Sequence, residues 1–207
     1  WEVTTTTIKI YSSFEPTNLN LGASGMLFTN KTKDTDSTWI RGNGWTSTGL
    51  TINTQYGFSI KTSNGNGMTT ASYEVSRYTS AEIPTAPTVT GSWDAVNGYN
   101  VMVKINRNGN PLGTEYVVTT DEGISWIQSD GTTGTSKYWS SNLTGWVYKN
   151  LARNTTYSFR VKARNGDGIE ATMSGTSSAA TPATELTAPS DFRIIAEAVN
   201  QLRYYWS

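Results

Sequence analysis

The sequence predicts an all-β chain built from two tandem β-sandwich units plus the opening of a third. Three observations carry this expectation. The chain repeats itself at about 100 residues. Apolar and polar residues alternate with period 2 inside each copy. No apolar stripe of helical period persists over about ten residues.

The repeat comes first because it organises the rest. Leu50-Thr-Ile-Asn-Thr-Gln-Tyr-Gly-Phe-Ser-Ile-Lys-Thr-Ser-Asn-Gly-Asn-Gly67 returns as Leu151-Ala-Arg-Asn-Thr-Thr-Tyr-Ser-Phe-Arg-Val-Lys-Ala-Arg-Asn-Gly-Asp-Gly168. Leu50/Leu151, Asn53/Asn154, Tyr56/Tyr157, Phe58/Phe159 and Asn64/Asn165 share one offset with Trp45/Trp146. A second marker, Thr85-Ala-Pro87, returns one residue later in phase as Thr187-Ala-Pro189.

Each copy reads as strands. Tyr56, Phe58 and Ile60 alternate with Gly57, Ser59 and Lys61, and Tyr157, Phe159 and Val161 with Ser158, Arg160 and Lys162. That alternation puts aromatics on one face and polar groups on the other, the pattern of a half-buried strand. Asn-Gly-Asn-Gly and Asn-Gly-Asp-Gly follow, residues that tolerate positive φ and turn the chain into an antiparallel partner. Tyr99, Val101, Val103 and Ile105 alternate before the Asn108-Gly109 turn, and Tyr116 to Thr120 and Ile124 to Ile127 read as further short strands. Many short strands within about 100 residues make a two-sheet sandwich.

Composition narrows the function classes. Among 207 residues, 16 Lys and Arg balance 16 Asp and Glu, so nothing favours nucleic acid or an anionic membrane as partner. An aromatic content of 12%, with 8 Trp and 11 Tyr, argues against disorder. There is no Cys, which excludes disulfides and thiolate sites, and no His, which removes the commonest general base and zinc ligand. No apolar run approaches the roughly 20 residues of a membrane-crossing helix. No cofactor is expected. The chain starts at Trp1 and shows no signal peptide, which reads as a processed product or a window from something longer.

The motif Leu-x-x-Asn-Thr-x-Tyr-x-Phe, followed by Arg-Asn-Gly-Asp-Gly in the second copy, resembles fibronectin type III modules. The resemblance implies immunoglobulin-like sandwiches in which Leu50 with Tyr56, and Leu151 with Tyr157, form a tyrosine corner: the ring packs between the sheets and the hydroxyl bonds backbone a few residues upstream. The Thr-Ala-Pro segments at Thr85 and Thr187 resemble the Pro-rich first strand of that family. Asn110-Pro-Leu-Gly-Thr-Glu-Tyr116 through Asp121-Glu-Gly-Ile-Ser-Trp126 is similar to a variant common in large bacterial surface proteins and secreted enzymes. The first copy departs from it, with Glu15-Pro-Thr-Asn-Leu-Asn-Leu-Gly22 and Ser24-Gly-Met-Leu-Phe28 in that place. Such a family implies a fold and tandem arrays, not a ligand.

Projected back by one period, Pro87 falls before Trp1. The expected division is therefore 1–83, a sandwich lacking its first strand; 84–185, a second sandwich; and 186–207, the opening strands of a further repeat or a strand-exchange tail. In the first case the chain is a window on a longer array. In the second, the tail, in which Leu202, Tyr204 and Trp206 alternate, completes the edge of a neighbouring chain's first sandwich and generates a filament.

Candidate sites are few. Flat indole faces suit sugar stacking, so Trp39, Trp45, Trp126, Trp139 and Trp146 are weighed. Trp45 and Trp146, at equivalent positions, read as core, while Trp126 and Trp139 flank the Ser129–Ser136 loop and are the candidates for ligand stacking. The acid pairs Asp34/Asp36 and Asp121/Glu122 read as solvated turns, since hydrolysis needs carboxylates facing across a cleft and calcium needs six to eight oxygens. Neither Arg41-Gly-Asn43 nor Arg164-Asn-Gly-Asp167 makes an adhesive Arg-Gly-Asp loop. Asn30-Lys-Thr32, Asn142-Leu-Thr144 and Asn154-Thr-Thr156 fit the glycosylation pattern, as chance alone provides in so Asn- and Thr-rich a chain.

The expected function is a non-enzymatic structural or adhesive array, extracellular or at the cell surface, with filament assembly as an extension. The alternative is a set of spacer or carbohydrate-binding modules of a secreted polysaccharide-degrading enzyme. Expected partners are neighbouring repeats or copies of the same chain, and surface glycans. Ile83-Pro-Thr-Ala-Pro87 is too short for a floppy tether.

Overall fold

In the computed structural model, residues 1–13, 24–183, 193–198 and 201–205 are described, the last two stretches by their backbone pairing alone. The first unit comprises β1 (Glu2–Val3), β2 (Ile8–Tyr11), β3 (Gly25–Asn30), β4 (Thr35–Asp36), β5 (Gly44–Ser47), β6 (Gln55–Ser63) and β7 (Tyr73–Tyr78). The second comprises β8 (Thr85–Asp94), β9 (Gly98–Asn106), β10 (Glu115–Thr119), β11 (Trp126–Ile127), β12 (Thr133–Gly134), β13 (Trp146–Tyr148), β14 (Thr156–Arg164) and β15 (Ser177–Ala180). Beyond it, β16 (Arg193–Ala198) pairs antiparallel with β17 (Gln201–Tyr205). No helix occurs among the described residues.

Each unit is two antiparallel sheets face to face. The orders are β1-β2-β5 against β4-β3-β6-β7 in the first unit, and β8-β9-β13 against β12-β11-β10-β14-β15 in the second. These are tandem immunoglobulin-like sandwiches. The alternation seen in the sequence builds each core. Val101, Val103 and Ile105 of β9 and Trp146 of β13 point inward and meet Tyr116, Val118, Phe159, Val161 and Ala163 from the opposite sheet. In the first unit Ile8 and Ile10 of β2 meet Met26, Phe28, Tyr56 and Phe58, with Leu50 closing the bottom. The two cores are separate clusters.

The first copy carries two residues of the opening strand it was expected to lack. Trp45 pairs with Ile10 as Trp146 pairs with Val103, which makes Ile8 the counterpart of Val101. Val3 then pairs with Ile8 as Gly91 pairs with Val101. A Thr turn closes this hairpin: Thr4 N–H donates to the Thr7 carbonyl, and Thr4 Oγ1 accepts from the Thr6 and Thr7 N–H groups. Two residues ahead of a Thr run have no alternation to announce them. At the other boundary, drawn between residues 83 and 84, the linker residue Ala81 already packs into the second core. Residues 15–22, the Thr187-Ala188-Pro189 marker and Trp206 lie outside the described residues. Leu202 and Tyr204 lie on β17, facing Ala196 and Ile194 in register.

One core group works against stability. Tyr116 is fully buried and, among the described residues, its hydroxyl makes no hydrogen bond of normal geometry, although Thr114 and Asn110 are close enough to act on it. Burial pushes its phenol pKa above the ordinary value. An unsatisfied buried hydroxyl costs roughly 1–3 kcal/mol, so Tyr116→Phe is expected to stabilise the second unit by about 1 kcal/mol. Calorimetry would read this as a rise of a few degrees in that unit's transition; an unchanged or lower midpoint would mean the hydroxyl is paired.

Candidate functional site: the joint between the sandwiches

The loops that enter β6 and β14 are built alike. Tyr56 Oη accepts the Thr51 N–H at 2.9 Å, and Tyr157 Oη accepts the Ala152 N–H at 3.1 Å. Leu50 is buried in the first core and Leu151 packs half-buried against the second. Below each tyrosine an Asn takes a left-handed backbone, φ 43° at Asn53 and 50° at Asn154. Asn is among the few side-chain-bearing residues at ease there. Thr54 N–H donates to Thr79 Oγ1, whose hydroxyl bonds the Thr51 carbonyl; Thr155, Thr181 and Ala152 repeat both bonds. These networks anchor the loop to the end of the last strand of its unit.

The turn at the far end of each long strand is also duplicated. Asn64 Oδ1 accepts the Asn66 and Met68 N–H groups, and Asn165 Oδ1 accepts those of Asp167 and Ile169. Gly67 and Gly168 sit at φ 77° and 79°, where a side chain would be strained. The turn is therefore preformed in both units.

The lower loop of the first unit meets the upper turn of the second, and polar groups lock them. Asn53 uses both ends of its amide across the joint: Nδ2 donates to Thr114 Oγ1 at 2.8 Å, and Oδ1 accepts the Gly166 N–H at 2.9 Å. Asn165 Nδ2 donates to the Thr79 carbonyl, and the Tyr78 N–H donates to Asp167 Oδ2. The Tyr78 ring lies so close over Gly166 that a Cβ there would stand 2.3 Å from a ring carbon. The linker is clamped as well. Asn110, fully buried, accepts the Glu82 N–H and donates back to the Glu82 carbonyl, both at 2.8 Å, while Asn108 Nδ2 donates to the Ile83 carbonyl. Beside the joint lies an open groove of about 420 Å³ lined by Asn53, Tyr78, Leu112, Thr114, Glu115 and Arg164.

The candidate stacking residues lie elsewhere, on the outer face of the second unit, and already hold cations. Trp126 is 4% exposed and has Lys137 Nζ 5.2 Å from its ring. Trp139 is half-buried, with the Arg164 guanidinium at 4.5 Å and Lys137 at 6.0 Å. Glu170 bonds both Lys137 and Lys162, and Glu115 pairs with Arg164. Partial burial pushes the Glu170 carboxyl up, but the Lys137 and Lys162 hydrogen bonds prevail and hold it below the ordinary value. An indole stacked by a cation presents less free face to a sugar ring. Trp45 packs half-buried against the first core, Trp146 is buried in the second, and Trp39 lies under Lys61.

The acid pairs are turn residues. Asp121 accepts the Ile124 and Ser125 N–H groups and the hydroxyls of Thr119 and Ser125, which folds 119–125 into a knot and leaves β11 only two residues long. Partial burial raises its carboxyl, but the Ser125 and Thr119 bonds outweigh that and leave it below the ordinary value. Glu122 pairs with Arg160, and Asp34 and Asp36 are exposed. Among the described residues no group of three potential metal ligands comes together, and no helix is long and apolar enough to cross a membrane. Of the glycosylation patterns, Asn30 is fully buried and bonded to Ser47, whereas Asn142 and Asn154 are exposed.

No family model matches the sequence, and no curated protein matches it. In solved structures the chain is similar to tandem fibronectin type III domains. The chicken CNTN1 FN1–FN3 domains share 14% identity at a TM-score of 0.42, over 100% of this chain and 72% of that one. A two-domain fibronectin type III segment of chicken tenascin shares 13% identity at a TM-score of 0.44, over 86% of this chain and 93% of that one. The fold itself is read from the strand pairing above.

Proposed function

We propose that this chain is a section of a non-enzymatic, extracellular structural array, in which stiff sandwiches hold a fixed spacing and present their outer faces to other molecules at the cell surface. The observation that carries this reading is the amide of Asn53, which ties the second unit to the first at Thr114 and Gly166 together. Domains in one chain move relative to one another by default unless their interface restrains them. Here the restraint is a set of directional hydrogen bonds, each worth about 0.5–1.5 kcal/mol, added to a linker whose backbone is clamped by Asn110. A joint of this kind suits spacing, since it resists bending without a large apolar interface. The reading takes residues 186–207 as the opening of a further repeat, which the pairing of β16 with β17 supports.

Nitrogen-15 relaxation and residual dipolar couplings on the intact chain test it. Both units are expected to report one common diffusion tensor. Asn53→Gly keeps the left-handed backbone but deletes the amide, and is expected to release the units into partly independent tumbling with both folds intact. Independent tumbling of the unaltered chain would end the proposal.

A further inference from the structure

We infer that the lower pole of the second unit, centred on Asn154, is the receptor half of a second joint, and that its occupant is the Asn-Gly turn of the repeat opened by β16 and β17. This rests on the array reading above and specifies how one repeat joins the next. The second unit offers the receptor geometry a second time. Asn154 has the same left-handed backbone as Asn53, and its N–H bonds the Pro182 carbonyl as that of Asn53 bonds the Ser80 carbonyl. The Thr155–Thr181 bonds duplicate those of Thr54 and Thr79. The amide of Asn154 differs in one respect: it is exposed and, among the described residues, bonds nothing, whereas that of Asn53 is used at both ends.

What the first joint asks of its receptor side is modest. Apart from the Asn53 amide, the hydrogen-bonding groups come from backbone: the Tyr78 N–H, the Thr79 carbonyl, both groups of Glu82 and the Ile83 carbonyl. Backbone is present at any sequence, so a second receptor needs one side chain, and Asn154 supplies it. The covalent reach also agrees. Thr79 stands as far ahead of Pro87 as Thr181 stands ahead of Pro189, with Ala81 and Ala183 at the same step. The turn that would dock is preformed in both known copies, with Asn64 and Asn165 making the same internal bonds. One contact changes: Ala180 stands where Tyr78 covers Gly166, since each pairs with the residue immediately before its corner tyrosine, Thr156 and Gln55. The second joint therefore keeps the hydrogen-bond pattern and lacks the ring.

The test is a three-unit chain. Because each unit has its own core, residues 85–183 can follow Leu186 in place of 187–207, which preserves the spacing from Thr181 onward. Dipolar couplings with unit-selective labelling then report both joints. The orientation of the third unit on the second is expected to reproduce that of the second on the first. Asn154→Gly is expected to free the third unit alone, and Asn53→Gly to free the first alone. Independent tumbling of the third unit with Asn154 intact, while the first two stay aligned, would overturn the inference and spare the array. Independent motion at both joints would sink the array and this inference together.

Discussion

Phe58→Ala is expected to unfold the first sandwich under conditions where the second stays native. Phe58 is 1% exposed and sits among Ile8, Ile10, Met26, Phe28 and Tyr56, from both sheets of its unit. Truncating a buried Phe costs about 3–5 kcal/mol through lost burial and the cavity left behind. A small domain holds only about 5–15 kcal/mol in total, so the first unit would be brought close to its limit. The second core shares no residue with the first, and Phe159 plays the equivalent part there. Phe159→Ala should therefore reverse the outcome. Amide hydrogen exchange resolves the two: protection should collapse over β2, β3 and β6 in one variant and over β9, β10 and β14 in the other. Loss of protection in both units from either substitution would mean the chain folds as a single cooperative body.

Gly91→Ala is expected to destabilise the second sandwich by about 3 kcal/mol, as forced overpacking against backbone does. A Cβ at Gly91 would lie 1.9 Å from the Ala180 carbonyl oxygen and 2.7 Å from its carbon. The obstacle is main chain, so no rotamer change can relieve it. β8 and β15 close one side of the sandwich at this crossing, and separating them would open the core along Val89 and Ala179. Chemical denaturation should show a lower midpoint for the second unit and an unchanged first one. A variant as stable as the parent would refute the close crossing of those strands.

Residue by residue, what could be read in advance was what repeats over short distances. Tyr56 and Tyr157 stood out because the same spacing occurs twice, and each hydroxyl receives a backbone N–H five residues upstream. β1 could not be read, because two residues carry no period. Trp126 and Trp139 were legible as large aromatics but not as rings already occupied, since Arg164 reaches Trp139 from a strand 25 positions further along the chain. Asn53 and Asn154 were visible as a matched pair, yet nothing local told that one amide is engaged while the other, among the described residues, bonds nothing.

The sequence by itself determined the fold class and the two matching tyrosine-bearing strands. Strand alternation and Asn-Gly turns are enforced by local sterics and by the two-residue period of the pleat. Only the tertiary structure decided the joint. Asn53 meets Thr114 across 61 positions and Gly166 across 113, and Tyr78 meets Asp167 across 89. Directional bonds between loops so far apart depend on how two finished sandwiches face one another, and no periodicity in the chain encodes that orientation.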